Sequence, residues 1–235
     1  MGFADYLVPS LALGGRTMKA MQKGFTLVEI AIVLVIIGLL LGGILKGQEM
    51  ITQAKIKNVI ADFSGISAAY HGYQDRYRAI PGDDKGASRW TGVSNLGDGD
   101  GHLTGLYNDT DPTHESRLWW EDLRRAGFIT GSGNGQPLNA VSGMIGVQTG
   151  DGAATPGRVL NGATADGFAA LIICSANLPD KIAIAVDTQM DDGVPNAGTV
   201  RAQLNTTLNP GILATADTAY AETGNNAYTV CRSLN

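Results

Sequence analysis

The sequence predicts an α+β protein: one long N-terminal helix, apolar in its first half and amphipathic in its second, packed on a C-terminal antiparallel β-sheet. Three observations predict it. From Phe25 to Leu45 the chain is almost uniformly apolar, long enough to span a bilayer as a helix. Beyond it, Ile56, Val59, Phe63, Ile66, Tyr70, Tyr73 and Tyr77 recur at alternating steps of three and four residues, a single stripe on a helix. In the last third, short apolar runs alternate with turn signals, the mark of antiparallel strands.

The helix is expected from Phe25 to about Arg78, about 54 residues or roughly 80 Å at the standard rise. Lys55, Lys57, Asp62, Gln74, Asp75 and Arg76 fall mostly off the stripe, and Pro81 ends the pattern. Gly38, Gly42, Gly43, Gly47, Gly65 and Gly72 interrupt it. Such glycines suit close helix packing or local melting, and they are also simply common in membrane helices. Residues 25–45 read as a transmembrane or filament-core segment, 46–80 as the amphipathic half, and 81–235 as a globular domain rich in glycine loops.

A polar, glycine-rich region follows Pro81 to about Pro112. A short helix is expected over Glu115–Ala126, with Thr113 as N-cap and Gly127 as its stop. Its Trp119 and Trp120 are expected to cover the core. Strands are expected at Val141–Gln148, Phe168–Cys174, Lys181–Asp187, Thr199–Leu204 and Tyr228–Cys231. A tight turn at Asp192-Gly193 and Pro195-Asn196 would join the third to the fourth.

The 235 residues carry a formal charge of −5. Residues 1–24 hold Arg16, Lys19 and Lys23 against Asp5, so the chain beyond them is near −7. An acidic domain does not advertise nucleic-acid binding. The 32 glycines show no period, which points to turns and long loops rather than collagen. An enzyme has little support. His71, His102 and His114 have no metal-ligand spacing, no nucleophile elbow appears, and Gly131-Ser132-Gly133-Asn134-Gly135 lacks the Gly-Lys-Ser/Thr ending of a phosphate loop.

The segment Lys23-Gly24-Phe25-Thr26-Leu27-Val28-Glu29 sets a basic residue and a glycine before a phenylalanine, with one carboxylate inside the apolar run. An acid at membrane depth is costly and marks function. This junction resembles the class III signal of type IV pilins and of the related pseudopilins of type II secretion systems. The resemblance is close over residues 23–45 and loose elsewhere. It implies that a membrane-embedded prepilin peptidase cuts between Gly24 and Phe25, that Phe25 becomes an N-methylated terminus, and that the apolar run stays on the protein. It also implies that the new amine pairs with Glu29 of a neighbouring subunit. That pair would act as a register device, because a misplaced subunit leaves a charge buried and unpaired.

Under this resemblance residues 1–24 are a leader. Met18–Gly24 would make a short basic leader by itself, so Met18 is a candidate true start, with the longer leader as its rival. The lysines keep the N-terminus cytoplasmic. The chain is then a single-pass inner-membrane protein with a periplasmic domain, and afterwards part of a periplasmic or surface filament. Its partners are the peptidase, identical or homologous subunits and an inner-membrane assembly platform. The function implied is that of a structural, non-enzymatic subunit of a type IV pilus-like filament. A secretion pseudopilin and a membrane-tethered ligand-binding module are the alternatives. Cys174 and Cys231 are the only cysteines. In an exported chain such a pair is expected to be a disulfide, closing a loop worth roughly 4 kcal/mol, and pilins often tie their C-terminal region this way.

No cofactor is expected, with Ca²⁺ as the one candidate. Asp98 and Asp100 stand two apart in a glycine loop, and Asp187, Asp191 and Asp192 occupy a second; such spacing lets carboxylates converge on a hard cation. Some pseudopilins hold Ca²⁺ in a C-terminal loop. The EF-hand pattern fails, however, since aligning Gly101 with its invariant glycine puts Leu96 and Tyr107 at ligand positions. The competing reading is that Asp and Gly simply make turns.

Overall fold

The computed structural model describes residues 24–93, 95–150, 157–164 and 166–234. The first 23 residues, and with them Met18 and the leader's basic residues, lie outside it. The chain divides into two units, one ending at Gly47 and one comprising Gln48–Asn235. A single helix, α1 (Leu27–Tyr77), runs through the division. Within the second unit it buries Ile56, Val59, Phe63, Ile66, Ala69, Tyr70 and Tyr73, the expected stripe with Ala69 added and Tyr77 only half-buried. Arg78 ends it in a left-handed conformation (φ 56°).

α2 (Glu115–Arg125) follows a short 3₁₀ turn at Lys85–Arg89. Its cap differs from expectation. His114 holds the N-cap position without a side-chain bond, while Thr113 donates its N–H and hydroxyl to Asp111. Its end is as expected. Gly127 adopts φ 79°, Phe128 N–H donates to the Leu123 carbonyl and Gly127 N–H to that of Arg124, a Schellman closure. Leu118, Trp119, Trp120 and Leu123 are buried, so this helix contributes its aromatics to the core.

The sheet has four strands, β1 (Ile145–Thr149), β2 (Leu171–Pro179), β3 (Val200–Leu204) and β4 (Ala227–Ser233), in the order β1-β2-β4-β3. Every pairing is antiparallel. β1 starts four residues later than expected, because the Asn139 side chain captures Val141 and Gly143 N–H and curls that segment into a turn. Lys181–Asp187 is not a strand. It lies in α3 (Asp180–Met190). Its large–small alternation imitates a strand, yet Ile182, Ala183 and Val186 are buried at helical spacing. Asp180 accepts the Lys181 N–H at the helix start, and Pro179 sets the entry. The turn at Asp192-Gly193 therefore joins a helix, not a strand, to β3.

Two apolar layers flank the sheet. One face carries Ile145, Val147, Ile173, Val200, Ala202 and Val230 into a cluster with α1, α2 and α3. The other carries Ile172, Cys174, Ala176 and Cys231 into a smaller cluster closed by Tyr107, Val159, Leu160 and Phe168. Buried Arg201 pins that second cover: it donates to the Leu160 carbonyl and to Asp166 and lies over the Phe168 ring. Cys174 pairs with Cys231 in the β2–β4 register and the two form the disulfide.

Replacing both cysteines by alanine should lower unfolding free energy by roughly 4 kcal/mol. Urea unfolding of the detergent-solubilised chain, followed by tryptophan fluorescence, reads the loss; an unchanged midpoint would contradict the structural role given to this bridge.

Candidate functional site

The N-terminal junction is built from four residues. Gly24 and Phe25 precede the helix as exposed, non-helical chain, with Phe25 83% exposed. Thr26 and Glu29 form a reciprocal cap. Thr26 N–H and hydroxyl donate to one Glu29 carboxylate oxygen at 2.7 and 2.8 Å, and Glu29 N–H donates back to the Thr26 hydroxyl at 3.3 Å. The sequence reading gave Glu29 an intersubunit partner and missed this one within the chain, although Thr-x-x-Glu before an apolar run is its signature. From Leu27 the helix is long and apolar enough to cross a membrane, and its most apolar window is wholly exposed. Within the helix the only acid before Lys46 is Glu29.

Residues 19–45 match the family model described as the prokaryotic N-terminal methylation motif, the class III signal of type IV pilins and pseudopilins. The match covers the junction and the apolar helix and nothing beyond. No curated protein and no solved structure matches the chain. The motif supports a pilin- or pseudopilin-like precursor.

The acidic loops assemble differently from the sequence reading. Among the described residues two groups of three acids bring carboxylate oxygens within 4.8 Å of one another. The first is Asp83, Asp98 and Glu115; Asp100 is not in it. Asp83 accepts the N–H groups of Gly99, Asp100 and Gly101, while Glu115 accepts those of Asp98 and Thr104. Two buried carboxylates thus wrap the Gly97–Gly101 loop around themselves, while exposed Asp100 accepts the His102 N–H. The loop crosses so near that a Cβ on Gly97 would lie 2.2 Å from the Asp83 backbone, which only glycine permits. Asp83, Glu115 and this role were invisible in the sequence, because their partners are backbone amides far along the chain.

The second group is Asp187, Asp191 and Asp192, as the sequence reading placed them. Asp191 accepts the Thr199 and Val200 N–H groups, Asp192 accepts that of Val194, and buried Asp187 accepts the Tyr220 hydroxyl at 2.7 Å. The oxygens suit a hard cation in kind, but they supply three of the six to eight that Ca²⁺ takes. Each also has an internal donor, the arrangement of a self-bonded turn.

Another buried acid, Asp122, accepts the Gly82 N–H at 2.7 Å and ties α2 to the loop that follows α1. Beside it the Tyr73 hydroxyl and the Arg89 guanidinium both donate to Asp84 at 2.6 Å. His114 pairs with Asp109 at 2.6 Å, a contact that raises the imidazole's pKa.

Burial pushes the Asp122 carboxyl up to about 7 and the Asp187 carboxyl up to about 6, against an ordinary 3.8. Groups raised on folding stabilise the fold fully below the unfolded pKa, and that contribution is lost as pH rises through the folded one. The urea midpoint should therefore decline between about pH 4 and pH 7, and Asp122→Asn with Asp187→Asn should flatten the decline. A midpoint rising over that range would contradict these assignments.

Proposed function

We propose that this chain is a structural subunit of a type IV pilus-like filament, cut between Gly24 and Phe25 by prepilin peptidase and assembled through its N-terminal helix. The observation that carries the reading is the methylation motif over residues 19–45 leading into an apolar helix surface that is exposed among the described residues. Lipid covers that surface before assembly, and helices of neighbouring subunits cover it afterwards. Lipid tails are as apolar as leucine, so association gains little from hydrophobicity and depends on packing and polar pairs. Glu29 supplies such a pair with the Phe25 amine of a neighbour. Its bonds to Thr26 keep the carboxylate satisfied while the subunit waits in the membrane, so assembly exchanges one set of donors for another.

In this reading the domain from Gln48 onward faces the periplasm, where Cys174 and Cys231 oxidise, and it serves as filament surface, not as an enzyme. Neighbouring subunits and an inner-membrane assembly platform are its partners. A pseudopilin of a type II secretion system uses the same junction and helix, and the motif supports that reading equally.

Glu29→Ala tests the proposal. The variant should be cut and retained in the membrane, yet be reduced at least tenfold in the sheared-filament fraction, the cost of leaving a buried amine unpaired. An immunoblot of sheared and membrane fractions reads both. Normal incorporation of Glu29→Ala would overturn assembly through this pair.

A further inference from the structure

At one end of the sheet, where β2, β3 and β4 terminate together, lies a groove of about 380 Å³. That size falls within the range of small-ligand sites. Its floor includes Asn177 and Asn205, side chains fixed by each other and by Asn209 and Thr229, which lie outside the lining. Asn205 Nδ2 donates to Asn177 Oδ1 at 2.8 Å, Asn177 Nδ2 donates to Asn209 Oδ1 at 2.9 Å, and the Thr229 hydroxyl donates to Asn205 Oδ1 at 2.7 Å. Asn177 and Asn209 both take left-handed backbone, φ 57° and 49°, and Asn177 sits in the β2 irregularity between Ser175 and Leu178. The floor is therefore preorganised.

The rim is the opposite. Thr206, Thr207 and Asn225 are exposed, and among the described residues their hydroxyls and side-chain amide bond to no protein group. Leu208 stands beside them 77% exposed. No charged side chain lines the groove, in a chain of net charge −5.

We propose that this groove is a binding site for a neutral oligosaccharide. The chemistry selects the class. Hydroxyls and amides both donate and accept, as the hydroxyls of a sugar do, and Leu208 offers an apolar platform for a ring's C–H face. A phosphate, a nucleic acid or a sialylated glycan would find no cation here. A peptide added as a further strand is blocked as well, because the outer side of β3 is already used. Ala202 N–H donates to the Pro195 carbonyl, Asp217 N–H to the Ala202 carbonyl, and Leu204 N–H to Asp217. The site is independent of filament assembly.

The test uses the full-length processed chain in detergent, passed over immobilised maltotriose, cellotriose and chitotriose, with sialyllactose and a heparin oligosaccharide as charged controls. At least one neutral trisaccharide should retain the protein, with little dependence on salt, since no charges pair. Thr207→Ala with Asn225→Ala, both on exposed positions, should weaken retention about tenfold through two lost hydrogen bonds. Glu29→Ala should leave it unchanged, which separates this site from the assembly reading. Retention of none of the neutral sugars, retention of the charged controls alone, or equal retention of the double variant would each overturn the proposal.

Discussion

The uncovered apolar surface of residues 25–45 is the constraint on which the rest of this molecule depends. Among the described residues nearly every large side chain there, from Phe25 through Leu45, is more than two-fifths exposed. Such a surface cannot persist in water. In the proposed function it requires a second phase, lipid and then a bundle of like helices, and it requires that the lone carboxylate be satisfied in both. The Thr26–Glu29 cap meets the second requirement without a partner subunit, at a helix start where an acid is favourable for two reasons. It satisfies orphan N–H groups, and it complements the positive end of the helix dipole.

In the second unit the same helix gains a packed core. The stripe from Ile56 to Tyr73 packs with the sheet and α2 in one cluster, where Tyr70 stacks on Trp119 and Tyr73 contacts Trp90 and Phe128. The sheet's far face is covered too, by loops in place of helices. Those loops are glycine-rich, and polar groups organise them: buried Arg201 in one place, half-buried Asn177 and Asn209 in another. Buried Asp83 and Glu115 organise the Gly97–Gly101 loop in the same way. The disulfide lies beneath that cover, joining the two central strands. Carboxylates in this domain thus act mainly as anchors for backbone amides.

Much of this was legible in the sequence because it rests on periodicity. The helix, its stripe and α2 with its glycine stop are patterns of one residue type at fixed steps, and the fold shows them within two residues of their expected ends. Reading failed where two periods coincide. Lys181–Asp187 alternates large and small, which satisfies a strand, while Ile182, Ala183 and Val186 also fit one helical face; only the tertiary partners of α3 decide. The first acidic group was only partly legible, for another reason. Asp98 and Asp100 are neighbours in sequence, but the group that gathers Asp98 is completed by Asp83 and Glu115, and long-range convergence leaves no local signature. Asp122, a buried acid in an amphipathic helix, gave no signal beyond an acid at a core-facing step.

The claim on which the account turns is that processing makes Phe25 the N-terminus that leads into the apolar helix. Mass spectrometry of the protein recovered from sheared filaments and from the envelope tests it most directly. The account predicts a mature N-terminal peptide that starts at Phe25 and carries an N-methyl group. A chain that retains residues N-terminal to Phe25 in every fraction would contradict it.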